Sequence, residues 1–241
     1  MLGLEKFKHA VSRYKTAFDG ARPYPHIALD DLWPDEHLRS VVSEFPDVWG
    51  DSRNDVGIQV KKRTNWQSED DVGPATLELI QTLNSGKFLR LLSKLTEIEG
   101  LIPDPYLTGG GLNLSERGGQ LAIHVDGTYH DYMRLHRRVN VIVYLNEEWR
   151  EEWGGHYEAW AADEHAHRPD HRVASIAPTW NRTVIFPTND FTWHGHPHPL
   201  ACPEGMGRKS LILYYYTADR PPWERWDGDI ESHHRAVFVP T

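Results

Sequence analysis

A histidine and an aspartate one residue apart offer the first chemistry in this chain. His124-Val125-Asp126 lies inside the run Gly118-Gly119-Gln120-Leu121-Ala122-Ile123-His124-Val125-Asp126-Gly127. Leu121, Ile123 and Val125 alternate with Gln120, Ala122, His124 and Asp126, the period of a short strand with one buried face. Residues two apart on a strand point to the same side, so the imidazole and the carboxylate stand together. They supply two of the three ligands of a facial-triad iron(II) site, which leaves three cis coordination positions open. With 15 histidines in the chain, such a tripeptide also arises by chance. As a strand end with a surface ion pair it would do no chemistry, so the metal reading needs a third ligand from downstream.

The candidate third ligand is His194, in Phe191-Thr192-Trp193-His194-Gly195-His196-Pro197-His198. Several strand-like runs separate it from Asp126, a large gap along the chain that a barrel can close in space. Two rival ligand sets are present. His156-Tyr157-Glu158 is also a histidine one residue from an acid, and His194, His196 and His198 alternate as a zinc or nickel face would. Pro197 and Pro199 interrupt the second set, because proline breaks a strand interior. His165, His167, His171, His233 and His234 read as surface residues.

Arg208 opens the last long apolar run. A guanidinium pointing into a barrel is costly unless it meets an anion, and its planar fork suits a carboxylate held by two hydrogen bonds. Tyr144 offers a further hydroxyl donor. Around these groups, candidate substrate contacts are Asn113, Arg117, the 127–138 loop with Tyr129 and His130, and Trp193, with Trp66 on an entrance loop.

Elements that would position these residues follow from periodicity. Leu4, Phe7, Val11, Tyr14 and Phe18 recur at helical spacing, and residues 26–29 form a possible strand. Pro34 begins a helix whose face is Leu38, Val41, Val42 and Phe45. Residues 50–73 are polar and read as a loop or hairpin near the site entrance. Pro74 opens a helix carrying Leu77, Leu79, Ile80 and Leu83, and a further one carries Phe88, Leu91, Leu92, Leu95 and Ile98. After the breaker Pro103-Asp104-Pro105 the pattern changes to short apolar runs at 106–114, 119–126, 138–146, 155–161, 172–177, 182–187, 191–196 and 208–217. Helices followed by eight short strands give a mainly β chain with N-terminal helices on a jelly-roll barrel. The expected organisation of residues 1–241 is a single domain. Residues 1–100 give mostly helical support and the entrance loop, 106–217 the barrel, and 218–241 an irregular tail that wraps it.

Composition narrows the function. The formal net charge of −9, without a basic stripe, argues against a nucleic-acid partner. Cys202 is the only cysteine, so neither an internal disulfide nor a Cys-based zinc site is possible, and a reducing cytoplasm is the expected location. Residues 1–18 are too charged for a signal segment, and no apolar run reaches membrane-spanning length. The 10 Trp and 10 Tyr suit a β scaffold with an aromatic-lined pocket.

Taken in order, Gly109-Gly110-Gly111-Leu112-Asn113, His124-Val125-Asp126, Arg137-Arg138-Val139-Asn140, Tyr144-Leu145-Asn146, Trp153-Gly154-Gly155, Thr183-Val184-Ile185-Phe186, His194-Gly195-His196-Pro197 and Arg208-Lys209-Ser210-Leu211 resemble the iron(II)- and 2-oxoglutarate-dependent dioxygenases of the prolyl-hydroxylase type. The resemblance covers roughly residues 106–217. It implies a double-stranded β-helix (jelly roll, cupin-like) of eight core strands. It also implies iron held by His124, Asp126 and His194, the distal carboxylate of 2-oxoglutarate on Arg208, and assistance from Tyr144. The implied reaction hydroxylates an unactivated C–H of a small-molecule or peptidyl substrate with dioxygen, releasing succinate and CO2. Halogenating relatives lack the carboxylate ligand that Asp126 supplies here. The insert His198 to Gly205 must loop out, and Lys209 must face away from Arg208. Two alternatives use the same barrel: a non-catalytic module that binds a ligand or partner, and a cupin-like metalloenzyme that needs no 2-oxoglutarate.

Overall fold

The computed structural model describes residues 2, 4–46, 51–55, 58–63, 72–163, 165–226 and 236–239. Among the described residues four helices form where apolar spacing requires them. Helix α1 (Leu4–Gly20) buries Leu4, Phe7, Val11 and Phe18. Helix α2 (Asp35–Ser43) follows Pro34 and carries Asp35 and Glu36 in its first turn, where acids suit the helix dipole. Helix α3 (Pro74–Leu83) begins on proline, and its first amides are capped from α2. The Glu44 carboxylate accepts from Ala75 N (2.9 Å), Thr76 N (2.8 Å) and Thr76 Oγ1 (2.7 Å). Helix α4 (Gly86–Thr96) is capped by Ser85, whose hydroxyl accepts from Phe88 N.

The strands are β1 (Ile27–Asp30), β2 (Asp51–Asp55), β3 (Ile58–Arg63), β4 (Ile102–Pro103), β5 (Gly111–Val125), β6 (Tyr129–His130), β7 (Leu135–Tyr144), β8 (Tyr157–Asp163), β9 (Arg168–Ile176), β10 (Arg182–Pro187), β11 (Trp193–His196), β12 (Gly207–Thr217) and β13 (Val237–Phe238). Eight of them follow the path β1-β10-β7-β12-β5-β11-β8-β9, antiparallel throughout, as a jelly roll. The expected count of eight holds with a different membership. The runs 106–114 and 119–126 are one strand, β5, and β1 supplies the eighth. Gly118, at φ +80°, bends β5 without ending it. One strand therefore pairs with β12 through residues 111–116 and with β11 through His124 and Leu121.

Strands β7, β10 and β12 are covered on both faces, which explains their nearly unbroken apolar runs. Val139, Val141, Val143, Ile185, Leu211, Leu213 and Tyr215 pack under the helices with Phe7 and Phe88. The alternating residues Ile142, Tyr144, Val184, Phe186, Ile212, Tyr214 and Tyr216 line the barrel interior with Tyr24 and Tyr157. Lys209 turns outward to the Phe45 ring, opposite to Arg208, and residues 197–206 loop out. Arg117 ties this loop down by donating to Ala201 O (3.2 Å) and Cys202 O (2.7 Å).

In the polar 50–73 stretch, β2 and β3 pair as a hairpin and β3 adds to β5. Trp66 lies outside the described residues. The tail is less irregular than expected. A single helical turn at Pro222–Glu224 and the strand β13 return it to β5. Among the described residues no helix is long and apolar enough to cross a membrane.

Candidate active site

His124 and His194 sit directly opposite each other in the β5–β11 ladder. The two strands come unusually close there. A Cβ at Gly195 would lie 2.8 Å from the Leu121 and Ala122 carbonyl oxygens, so only glycine fits. The pleat sends His124 and Asp126 to one side of β5 and His194 to the same side of β11. His124 Nε2 lies 3.4 Å from Asp126 Oδ1, and His194 Nε2 lies 3.7 Å from Asp126 Oδ2. All three residues are buried, and their ligand atoms fall within 4.8 Å of one another. Among the described residues this is the one His/Cys/Asp/Glu group so arranged.

Both imidazoles are oriented by backbone carbonyls. His124 Nδ1 lies 2.9 Å from Ala122 O and His194 Nδ1 lies 2.8 Å from Thr192 O. A carbonyl only accepts, so each Nδ1 carries the proton and each Nε2 presents a lone pair to the centre. Asn140 donates from Nδ2 to Asp126 Oδ2, and Arg137 Nη1 lies 3.9 Å from Asp126 Oδ1. Burial alone would raise the Asp126 pKa. With the imidazoles protonated, the His124 hydrogen bond and the charges of His194, Arg137 and His124 outweigh it and hold the carboxyl well below the usual carboxylate range. Two imidazole nitrogens and an ionised carboxylate at these separations fit a divalent transition metal, whose cis ligands at about 2.1 Å stand about 3 Å apart.

A second polar constellation lies in the same interior. Arg208 is buried, donates from Nε to Gly155 O (2.7 Å) and from Nη2 to the Tyr144 hydroxyl (2.9 Å). No carboxylate among the described residues is within ion-pair distance of it. Burial pushes the Tyr144 pKa up, and the Arg208 charge opposes this only in part, so the phenol stays protonated. Its oxygen accepts from Arg208, and its own proton has no acceptor among the described residues. Ser210 is opposite both Tyr144 and Asn113 in the ladders, and Ser210 Oγ and Asn113 Oδ1 are buried without a hydrogen-bond partner. Orphaned buried polar atoms beside an unneutralised cation mark a place built for a polar, anionic group. Tyr157 bridges the two constellations. It belongs to the same interior cluster as Tyr144, and its ring stacks on His194 at 5.7 Å.

The other sequence candidates separate. Trp193 does not face the cavity. Alternation that points His194 inward sends Trp193 outward, into a cluster with Ile123 and Val125. Arg117 is the loop anchor described above rather than a cavity residue. His130 is buried between Thr108 Oγ1 (2.8 Å) and Asp104 Oδ1 (3.5 Å), and Tyr129 packs edge-on against His136. Asn113 lies in the Arg208 layer. Glu158 turns outward to Trp160 Nε1 and Arg172, so the His156/Glu158 pair forms no ligand set. His198 is exposed, which dissolves the three-histidine face. His167 is half-buried against Trp226, not a surface residue, whereas His165 and His171 are exposed. His233 and His234 lie outside the described residues.

Four inward-facing neighbours escaped the sequence reading. Arg137 stacks over Tyr214 at 3.8 Å while facing Asp126. Burial disfavours its charge, but Tyr216, Tyr214 and Asp126 more than compensate. Two adjacent arginines at the start of an apolar strand were a signal that could have found it. Tyr24 donates to Trp193 O (3.0 Å) and pairs with the Tyr157 hydroxyl (2.9 Å). Phe238 stacks on His124. For Tyr24, Tyr157 and Phe238 no local pattern gave warning.

The family model of the 2OG-Fe(II) oxygenase superfamily matches residues 110–216, which hold the triad, Tyr144 and Arg208. A prolyl 3,4-dihydroxylase, OGFOD1 of Ostreococcus tauri, is 24% identical over 234 residues, covering 89% of this chain and 43% of the relative. A prolyl 3-hydroxylase, OGFOD1 of Mus musculus, is 32% identical over 95 residues, covering 39% of this chain and 17% of the relative. The chain thus spans less than half the length of these curated relatives. Among solved structures, the prolyl hydroxylase of Trichoplax adhaerens, in complex with a hypoxia inducible factor oxygen degradation domain peptide fragment, superposes with a TM-score of 0.61 at 13% identity. That superposition covers 88% of this chain and 91% of the other. At that identity the likeness speaks for the oxygenase fold. The His-Asp-His donor set fits iron(II), and the Arg208 layer fits 2-oxoglutarate.

Proposed function

We propose that this chain is a 2OG-Fe(II) oxygenase that hydroxylates a prolyl residue of a peptidyl substrate, consuming 2-oxoglutarate and dioxygen and releasing succinate and CO2. One oxygen atom enters the C–H bond and the other enters succinate, so the reaction balances without a further reductant. The observation that carries the reading is the pairing, in one barrel interior, of an imidazole–imidazole–carboxylate triad with a buried arginine that meets no carboxylate among the described residues.

His124 Nε2, His194 Nε2 and an Asp126 oxygen would hold iron(II), which when bound supplies the dioxygen activation. Arg208 would bind the distal carboxylate of 2-oxoglutarate through the guanidinium N–H groups left unused by Gly155 and Tyr144. Tyr144 would donate its spare O–H to the same carboxylate, with Ser210 and Asn113 beside it. Asn140 and Arg137 hold Asp126 ionised and oriented. The rings of Tyr24, Tyr157 and Phe186 exclude water from the space between the two constellations, which suits a radical reaction that must not be quenched by solvent. The curated relative aligned along most of the chain, the prolyl 3,4-dihydroxylase, favours a prolyl target. A cytoplasmic location agrees with the buried free thiol of Cys202.

The test is succinate release from iron(II), 2-oxoglutarate and a panel of proline-containing peptides, with mass detection of one added oxygen. Turnover is expected in wild type and lost in His124→Ala and Arg208→Ala. Failure of the wild type to bind metal in anaerobic titration would overturn the reading.

A further inference from the structure

We propose that Phe238, from the C-terminal tail, is a positioning residue for the metal ligand His124. The proposal rests on the metal reading above and extends it to a residue outside the 110–216 core. The two histidine ligands are braced differently. His194 is held from within the barrel, edge-on to Phe186 at 4.8 Å and stacked on Tyr157 at 5.7 Å. His124 meets neither of these rings. Its ring neighbours are His194 at 4.4 Å and Phe238 at 4.8 Å, the latter nearly parallel at 22°.

Strand register puts Phe238 there. β11 holds one edge of β5 at His124; on the other edge β3 pairs only as far as Leu121, and β13 continues that edge with Val237 opposite Val125 and Phe238 opposite His124. The Val239 amide continues the ladder to Ile123 O at 3.0 Å. Alternation turns Val237 and Val239 into the apolar cluster of Ile123, Val125 and Trp193, and turns Phe238 to the opposite face, onto the imidazole. The tail is fastened before it reaches this point. Glu224 receives both Arg138 Nε and Nη2, and Asp190 receives Arg220 Nη2 and Trp226 N.

The hydrogen bond from His124 Nδ1 to Ala122 O fixes one atom of the ring and leaves a swing about that bond. A flat ring against the imidazole face removes the swing and holds Nε2 toward Asp126. Residues that orient metal ligands from behind typically change metal affinity by about 10–100-fold when removed.

The experiment is anaerobic titration of Mn(II), a redox-quiet stand-in for iron(II), into wild type, Phe238→Ala, Phe238→Leu, Phe238→Tyr and Val239→Ala. Apo melting curves and circular dichroism would confirm that each variant folds. Phe238→Ala is expected to weaken Mn(II) by about tenfold or more and to speed its loss to a chelator. Phe238→Leu, which keeps the apolar bulk without the flat face, should fall between. Phe238→Tyr should bind as wild type, and Val239→Ala, on the other face of the same strand, should change affinity little. Unchanged affinity in Phe238→Ala and Phe238→Leu overturns the proposal. So does an equal loss in Phe238→Ala and Val239→Ala, which would make strand docking, not the ring, the cause. A wild type that binds no Mn(II) would instead bring down the metal reading on which the proposal stands.

Discussion

Arg208 Nη2 donates to the Tyr144 hydroxyl at 2.9 Å, deep in the barrel, and the pair meets no acid among the described residues. An arginine in that position carries an uncompensated charge and a phenol with a proton to give. Both deficits are removed by one carboxylate arriving from solution.

Arg208→Lys is therefore expected to weaken 2-oxoglutarate binding even though the charge is kept. A lysine ammonium cannot bond Gly155 O, the Tyr144 oxygen and a carboxylate in the fixed fork that arginine provides. Charge-assisted hydrogen bonds contribute about 1.5–3 kcal/mol each, so a loss of about ten- to a hundredfold is expected. Anaerobic titration of 2-oxoglutarate into the Mn(II)-loaded protein, followed by tryptophan fluorescence, measures it. An affinity equal to wild type would place the co-substrate elsewhere.

Tyr24→Phe removes the hydroxyl that joins Tyr157 to the Trp193 carbonyl, next to His194. The ring still fills its space, but a buried phenol and a buried carbonyl lose their partner. A cost of about 1–3 kcal/mol follows from leaving such groups unsatisfied, to be read as a lowered urea midpoint with an unchanged slope.

Asp190→Ala leaves the Arg220 guanidinium buried with only the more distant Glu224 carboxylate, 3.7 Å from Nε, since both side chains of the lost 2.6 Å pair are almost fully enclosed. Breaking a buried pair from one side costs about 3–5 kcal/mol. Asp190→Ala combined with Arg220→Met should recover much of that loss in chemical unfolding. A double variant as unstable as the single one would show that the Trp226 amide, not Arg220, is what Asp190 serves.

His26 gives the stability a pH slope. Burial lowers its pKa, and the hydrogen bond to Tyr24 O only partly offsets this. The unfolded imidazole titrates near about 6.5, so below that pH the unfolded chain takes up a proton that the folded protein resists. Stability from this residue is complete above the unfolded value and is lost as pH falls from there toward the lowered folded value. His26→Gln should flatten that part of the curve when urea midpoints are compared across mildly acidic and neutral pH.

Much of the molecule was legible before any coordinates. The apolar spacing of Leu4, Phe7, Val11 and Phe18 or of Phe88, Leu91, Leu92 and Leu95 implies helices, and helices form there. Continuous apolar runs in 139–145 and 210–216 imply strands covered on both sides, as β7 and β12 are. Trp193 was misjudged as a cavity residue because nearness in sequence to His194 was taken for nearness in space, whereas the pleat sends neighbours apart. The division of β5 was misjudged because Gly118 reads as a break, whereas its positive φ bends a strand that continues.

Local periodicity thus determined the helices and most strands, since these depend on contacts within a few residues, while residue types and their order only proposed the chemistry. That His124, Asp126 and His194, named from the sequence, converge on one point, that Arg208 meets no acid among the described residues, and that Tyr24 and Phe238 come near the site were decided only by tertiary structure. Those facts depend on strand register between distant segments, where a shift of one residue reverses every side chain.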